Sequence, residues 1–198
     1  MSKLLAVVLA LSACGKSSDS SKAKESAPPA SSPTFTIDAA VVNALVPAEL
    51  KDKLAFDKTD VVEGRGKSKL TFTLAAPKGW KQDGTMFAKL QGGDMGASGT
   101  IDLASDCDGS CVAKDWAASA DKVVFKQFKD AAVVKTATTP TSRLLIATRD
   151  KSTFVAYAWW VTGANRYHYC MVTLDEPLGA AAPAFAQACQ AVNIAGDH

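Results

Sequence analysis

Four alternating or wholly apolar segments, 132–138, 143–149, 153–162 and 167–174, follow one another with connectors of only three or four residues. A parallel crossover needs about a dozen residues or more, so these strands can pair only as an antiparallel meander. Turn residues stand between them: Pro140, Asp150-Lys151 and Gly163-Ala164-Asn165. Upstream, 54–62 and 70–75 read as a hairpin around Gly64-Arg65-Gly66, with Leu70, Phe72 and Leu74 alternating, and 86–90 and 100–103 as two more strands flanking the glycine-rich 91–99. The period changes at Val112, Trp116, Ala120, Val123 and Phe128, which recur at helical spacing behind the capping residues Asp108 and Ser110. A short helix over 38–45 before Pro47 and an alanine-rich helix over 181–192 complete the expectation. The fold class is α+β: a mainly antiparallel sheet of about six to eight strands with helices packed on it.

The hairpin of 153–162 and 167–174 is apolar on both faces. If Thr162 pairs with Arg166, Ala158 lies opposite Cys170 and Trp159 opposite Tyr169. The Ala and Cys face then receives the last helix, stapled through Cys189, while Tyr157, Trp159, Tyr167 and Tyr169 gather on the other face. That aromatic face is a candidate platform for a glycan or an apolar ligand. Its competing role is core, covered by the helix that carries Trp116 and Phe128.

The first residues carry an address. Lys3 precedes the apolar run 4–11, and Leu11-Ser12-Ala13-Cys14 resembles the lipobox of bacterial lipoprotein precursors. Eight apolar residues are too few to span a bilayer, which takes about 20. The resemblance implies that 1–13 is a signal peptide, that Cys14 is lipidated and becomes the mature N-terminus, and that the chain is held on the cell envelope. Gly15 rather than aspartate follows Cys14, which by the same resemblance favours the outer membrane where the host has two membranes.

From Gly15 to Pro33 the chain has seven serines, three prolines and no large apolar residue, so 14–33 is expected to be a disordered tether. A flexible coil of that length spans roughly 25 Å and reaches near 65 Å when stretched. The remainder, 34–198, suits a single domain. Leaving out Lys3, Lys16, Lys22, Lys24, Asp19 and Glu25, it carries 18 cationic and 18 anionic residues. That balance argues against nucleic acid, which demands a basic face.

Five cysteines are odd for an oxidising compartment, but lipid on Cys14 leaves four, enough for two disulfides. Three pairings exist; Cys107 with Cys111 around an Asp-Gly turn, and Cys170 with Cys189 joining a strand to the last helix, is the one expected.

The segment Pro77-Lys78-Gly79-Trp80 after an alternating strand, followed by short strands, a Trp-led helix, a meander and a closing helix, resembles the PsbP-like group of α/β/α sandwich domains. The resemblance covers roughly 70–194. It implies an accessory or binding domain more readily than an enzyme, and it carries over no metal or catalytic residue.

Catalytic patterns fail one by one. Gly64-Arg65-Gly66-Lys67-Ser68 contains Gly-Lys-Ser, but Val61 stands where a phosphate loop needs glycine, and a strand follows where a helix is required. Aligning Gly109 with the invariant glycine of a calcium loop puts Ala104 at the first ligand position and Asp115 at the last. Four cysteines suit disulfides better than zinc in an exported chain, and Asp106 and Asp108 oppose a reactive thiol at Cys107. His168 and His198 are the two imidazoles, and no hydrolytic triad forms around either. The sequence calls for no cofactor and no metal. It describes a membrane-anchored envelope lipoprotein serving as a binding or accessory module for an envelope glycan or a protein partner. The alternative is an envelope hydrolase that uses acidic residues such as Asp102 and Asp106.

Overall fold

The computed structural model describes residues 36–65, 68–92, 98–106, 113–161 and 166–196. The lipobox, Cys14, the tether, Gly66 and Lys67, Cys107 and Cys111, the capping residues Asp108 and Ser110, Val112, Thr162, the turn at Gly163-Ala164-Asn165 and His198 lie outside the described residues.

Helix α1 (Ala39–Ala44) opens under an Asp38 carboxylate that accepts from the Ala40 N–H at 2.8 Å. The side-chain amide of Asn43 both donates to and accepts from the backbone of Phe56, at 2.9 and 2.7 Å, and so fastens the helix to the first strand. Strands β1 (Phe56–Arg65) and β2 (Ser68–Pro77) form the expected hairpin. Next come β3 (Lys81–Gln82), β4 (Ala88–Gly92) and β5 (Gly99–Asp106), then helix α2 (Trp116–Ala120). The meander is β6 (Ala132–Thr139), β7 (Ser142–Arg149), β8 (Ser152–Val161) and β9 (Arg166–Asp175). Helix α3 (Ala182–Gln190) and β10 (Asn193–Gly196) close the described chain.

Two antiparallel sheets result: three strands in the order β1-β2-β10, and seven in the order β3-β4-β5-β9-β8-β7-β6. The α+β fold is therefore as the strand spacing demands. Strand β10 has no sequence signal; it forms because α3 delivers it beside β2, where Ile194 lies opposite Phe72.

The large sheet is apolar on both faces, and each face has its own core. On one side Ile101, Leu103, Leu144, Ile146, Val155, Cys170, Val172 and Leu174 pack with α1, α3 and the inner residues of the small sheet. On the other, Phe154, Ala156, Ala158, Trp160 and Tyr167 lie beneath Trp116, Ala120, Val124 and Phe128. Ala156 and Ala158 have no exposed surface, and their small side chains let the α2 region come close to the sheet.

The expected hairpin register is corrected here. Arg166 pairs with Val161 rather than Thr162, so Tyr157 stands opposite Cys170 and Trp159 opposite His168. Because side chains alternate, a slip of one residue exchanges the faces of one strand relative to the other. The observed register sets Val155 against Val172 under α3, where the expected one would have set it against Thr173. Packing two β-branched residues in a dry layer decides the choice.

The helix expected through Val112 and Val123 is α2 continued by a π turn, Asp121–Phe125, and a 3₁₀ turn, Lys126–Phe128. Trp116, Ala120, Val124 and Phe128 are buried at a constant interval of four. An α-helix, with 3.6 residues per turn, rotates such a series off its face; the wider π turn winds it back. Val124 is therefore buried, and Val123 only half-buried. Arg143 holds the π turn by bonding Asp121 and lying 4.9 Å over the Phe125 ring.

Strand β6 is an edge of the large sheet, exposed along its whole length, with a bulge between Val133 and Lys135. Bulge and lysine together discourage edge-to-edge pairing.

Cys170 of β9 is joined to Cys189 of α3, with Cα atoms 5.6 Å apart and a sequence separation of 19. The link ties the large sheet to the helix above it. Replacing both cysteines by alanine is expected to lower unfolding free energy by about 3 kcal/mol on the chain-entropy account. Urea titration of the oxidised protein and the double variant measures the difference.

Candidate ligand-binding site

The site begins at the end of β2, where the chain must pass from the small sheet to the large one. The Lys78 N–H donates to the Ala55 carbonyl at 2.7 Å, and the Trp80 N–H closes a turn onto the Pro77 carbonyl at 3.2 Å. Gly79 sits in that turn at φ +82°, a conformation open to glycine and costly to other residues. The turn projects Trp80 over the end of the β4–β5 pair, where Gly92 and Gly99 face each other as direct partners. A Cβ on Gly92 would lie 2.3 Å from the indole, and one on Gly99 2.4 Å. The two bare glycines are thus a shelf for the ring. Above it, Trp80 packs 5.6 Å from Phe185 of α3, which meets Phe56 of β1 edge-on at 5.0 Å.

An open cleft of about 450 Å³ lies at this junction, lined by Lys53, Lys78, Lys81, Gln91, the Gly79 turn, the Gly92 shelf and the half-buried indole. Lys53 follows the 3₁₀ turn Ala48–Leu50, and Lys81 of β3 stands opposite Gln91 of β4. Lys78 pairs with Asp57 at 3.3 Å, both side chains well exposed. Lys53 and Lys81 make no ion pair among the described residues. Polar hydrogens therefore outnumber acceptors around the cleft.

The four rings expected to share one face are divided by the sheet. Tyr157 and Trp159 stack at 5.2 Å on the α3 side, and Trp159 also meets His168 at 5.6 Å. Tyr167 and Tyr169, 6.4 Å apart, lie on the α2 side. Trp159 and Tyr167 are buried, Tyr157 and Tyr169 half-buried. Burial raises the Tyr157 phenol above its usual range, against a hydrogen bond with Ser142 that lowers it. Tyr169 is raised by burial first, then by the carboxylates of Asp106, Glu63 and Asp102.

Asp102 and Asp106 share a face of β5, with Cα atoms about 13 Å apart, and both carboxylates act on the Tyr169 phenol. Asp102 is also paired with Lys89 at 3.6 Å. Ser105 lies directly opposite His168, and its buried hydroxyl has no hydrogen-bond partner among the described residues, so the two form no hydroxyl–imidazole hydrogen bond. Among the described residues no three His, Cys, Asp or Glu side chains converge as a metal site, and no helix is long and apolar enough to cross a membrane.

No family model and no curated protein matches this chain. A solved structure, the Ran-binding protein Mog1p of Saccharomyces cerevisiae, is similar over 70% of this chain and 96% of that one, with 10% identity and a TM-score of 0.41.

The cleft was not marked in the sequence as a site. Its signals were present as Pro77-Lys78-Gly79-Trp80 and the glycine-rich segment 91–99, but nothing in their spacing says that the tryptophan lies on glycines at both ends of that segment.

Gly99→Ala is expected to destabilise the protein by about 1–3 kcal/mol through overpacking against the indole. In a Trp80→Ala background most of that penalty should vanish, which a double-mutant cycle by urea titration measures. A second expectation concerns alkaline pH. The raised phenols of Tyr157 and Tyr169 mean that the unfolded chain releases these protons first, near pH 10. Their contribution to stability is complete below pH 10 and falls as pH climbs from there toward the folded-state values. Denaturation at a series of pH values should show this slope, reduced in Tyr169→Phe.

Proposed function

We propose that this chain is a lipid-tethered binding module of the bacterial cell envelope, presenting the Trp80 cleft to a ligand or partner. The observation that carries the reading is the cleft itself: a rigid aromatic wall on a glycine shelf, bordered by three lysines and a glutamine, at the seam between the two sheets and α3. Pockets of several hundred Å³ with an apolar wall and a few convergent polar groups are the usual form of small-ligand sites. Binding is favoured over hydrolysis by Asp102 and Asp106 because Asp102 is paired with Lys89 and neither carboxylate lines the cleft.

The tether rests on Leu11-Ser12-Ala13-Cys14 and the serine-rich segment behind it. With Cys14 lipidated, a single-domain 34–198 held by about 20 flexible residues moves over tens of ångströms and samples ligands near the membrane, the outer membrane where there are two. An envelope glycan or an envelope protein is the partner class this placement favours.

Cells expressing the protein and fed a clickable fatty acid should yield labelled protein in the membrane fraction. Cys14→Ser should lose the label and leave the membrane fraction. An unlabelled wild-type protein, or a Cys14→Ser form that still sediments with membranes, overturns the tether.

A further inference from the structure

We propose that the Trp80 cleft is a site for a phosphomonoester, with the phosphate held among Lys53, Lys78 and Lys81 and the organic part against the indole. The inference rests on the binding reading above and names the ligand class for that site. Three ammonium groups border the cleft, and the Asp57 carboxylate answers one of them. Two positive charges are left unmatched among the described residues, the complement of a phosphomonoester, which carries about −1.5 to −2 at pH 7.

Hydrogen-bond chemistry points the same way. Lysine ammonium groups donate and cannot accept, and the indole N–H donates only. The backbone N–H of Trp80 donates to the Pro77 carbonyl, but its indole N–H has no hydrogen-bond partner among the described residues, and Gln91 brings two further amide hydrogens with a single carbonyl acceptor. A ligand suited to such a border is rich in acceptors and poor in donors at one end. A phosphate has three terminal oxygens for this role, and a carboxylate has two with half the charge. The site does not resemble a phosphate loop or a helix N-terminus; it is a cluster of point charges on three separate segments, the turn after Leu50, the Pro77-Lys78-Gly79-Trp80 turn and β3. Lysines on independent segments hold a compact dianion without the planar geometry that arginine would impose.

The rest of the ligand has a wall to meet. Gly92, Gly99 and Phe185 fix the indole in place, so its edge toward the cleft is already positioned and loses little freedom on binding. A sugar or other small organic body is the fitting partner for such a surface.

The test uses the full chain carrying Cys14→Ser, so that no lipid anchor holds it to vesicles, titrated calorimetrically without detergent with glucose 6-phosphate, inorganic phosphate, glucuronate and glucose. Vesicles of phosphatidylcholine with and without phosphatidic acid distinguish a lipid headgroup from a soluble ester. Saturable binding of glucose 6-phosphate, or retention on phosphatidic acid vesicles alone, is expected, weaker below about pH 6 where the ester loses its second charge. Lys53→Gln with Lys81→Gln should weaken it about tenfold or more. Both lysines are exposed, so an unchanged urea midpoint will show the double variant folded; Lys122→Gln, on the far side of the large sheet, should bind as wild type. Binding of glucuronate without any response to a phosphate probe overturns the phosphate assignment and leaves the binding reading standing. Undiminished phosphate binding by the folded double variant also overturns the assignment. Silence toward every probe removes both.

Discussion

The indole of Trp80, resting on the opposed glycines Gly92 and Gly99, pins the end of the small sheet to the end of the large one. Its backbone follows directly from β2 of the small sheet, its ring lies on the β4–β5 end of the large one, and its other neighbour is Phe185 of α3. Phe185 in turn reaches Phe56 of β1. A chain of aromatic contacts thus runs from one sheet through the helix to the other. Any side chain larger than hydrogen at the two shelf positions would enter the space that the ring occupies. The cleft exists because this seam is rigid on one side and left open on the other, with lysines from neighbouring segments along its border.

The large sheet shows how packing chooses among pairings that local pattern allows. Strands β8 and β9 are apolar on both faces, so alternation does not say which face meets which helix. The observed register stacks Val155 on Val172 under α3 and turns the narrow alanines 156 and 158 toward α2. Tyr157 and Trp159 then part from Tyr167 and Tyr169. The π turn after α2 belongs to the same solution, since it keeps Trp116, Ala120, Val124 and Phe128 over that alanine stripe.

Much of the site's absence from the sequence reading has a simple cause. Catalytic patterns are recognised by residues near one another in the chain, whereas the cleft draws Lys53, Lys78, Lys81 and Gln91 from turns and short strands that the fold brings together. Lysines in loops look like solvated surface until three of them are seen around one opening. The glycine-rich segment 91–99 reads as a connector between two strands, but Gly92 and Gly99 are in the paired strands themselves with a ring across them. The tyrosines and Trp159 drew attention because aromatic residues concentrated in one hairpin suggest a platform, and a single-residue slip was enough to divide them.

Legible in the chain were the antiparallel α+β class, the meander, the hairpin at β1 and β2 and, as the favoured one of three possible pairings, the link of Cys170 with Cys189. These follow from alternation, from connector length and from the placement of one cysteine in a strand and another in the last helix, all local properties of a chain. The tertiary structure decided the β8–β9 register, the addition of β10, the phase of the α2 region and the formation of the cleft. Each of those depends on which surfaces exclude water together and how closely they approach, and such closeness is a property of the packed layers that no single segment contains.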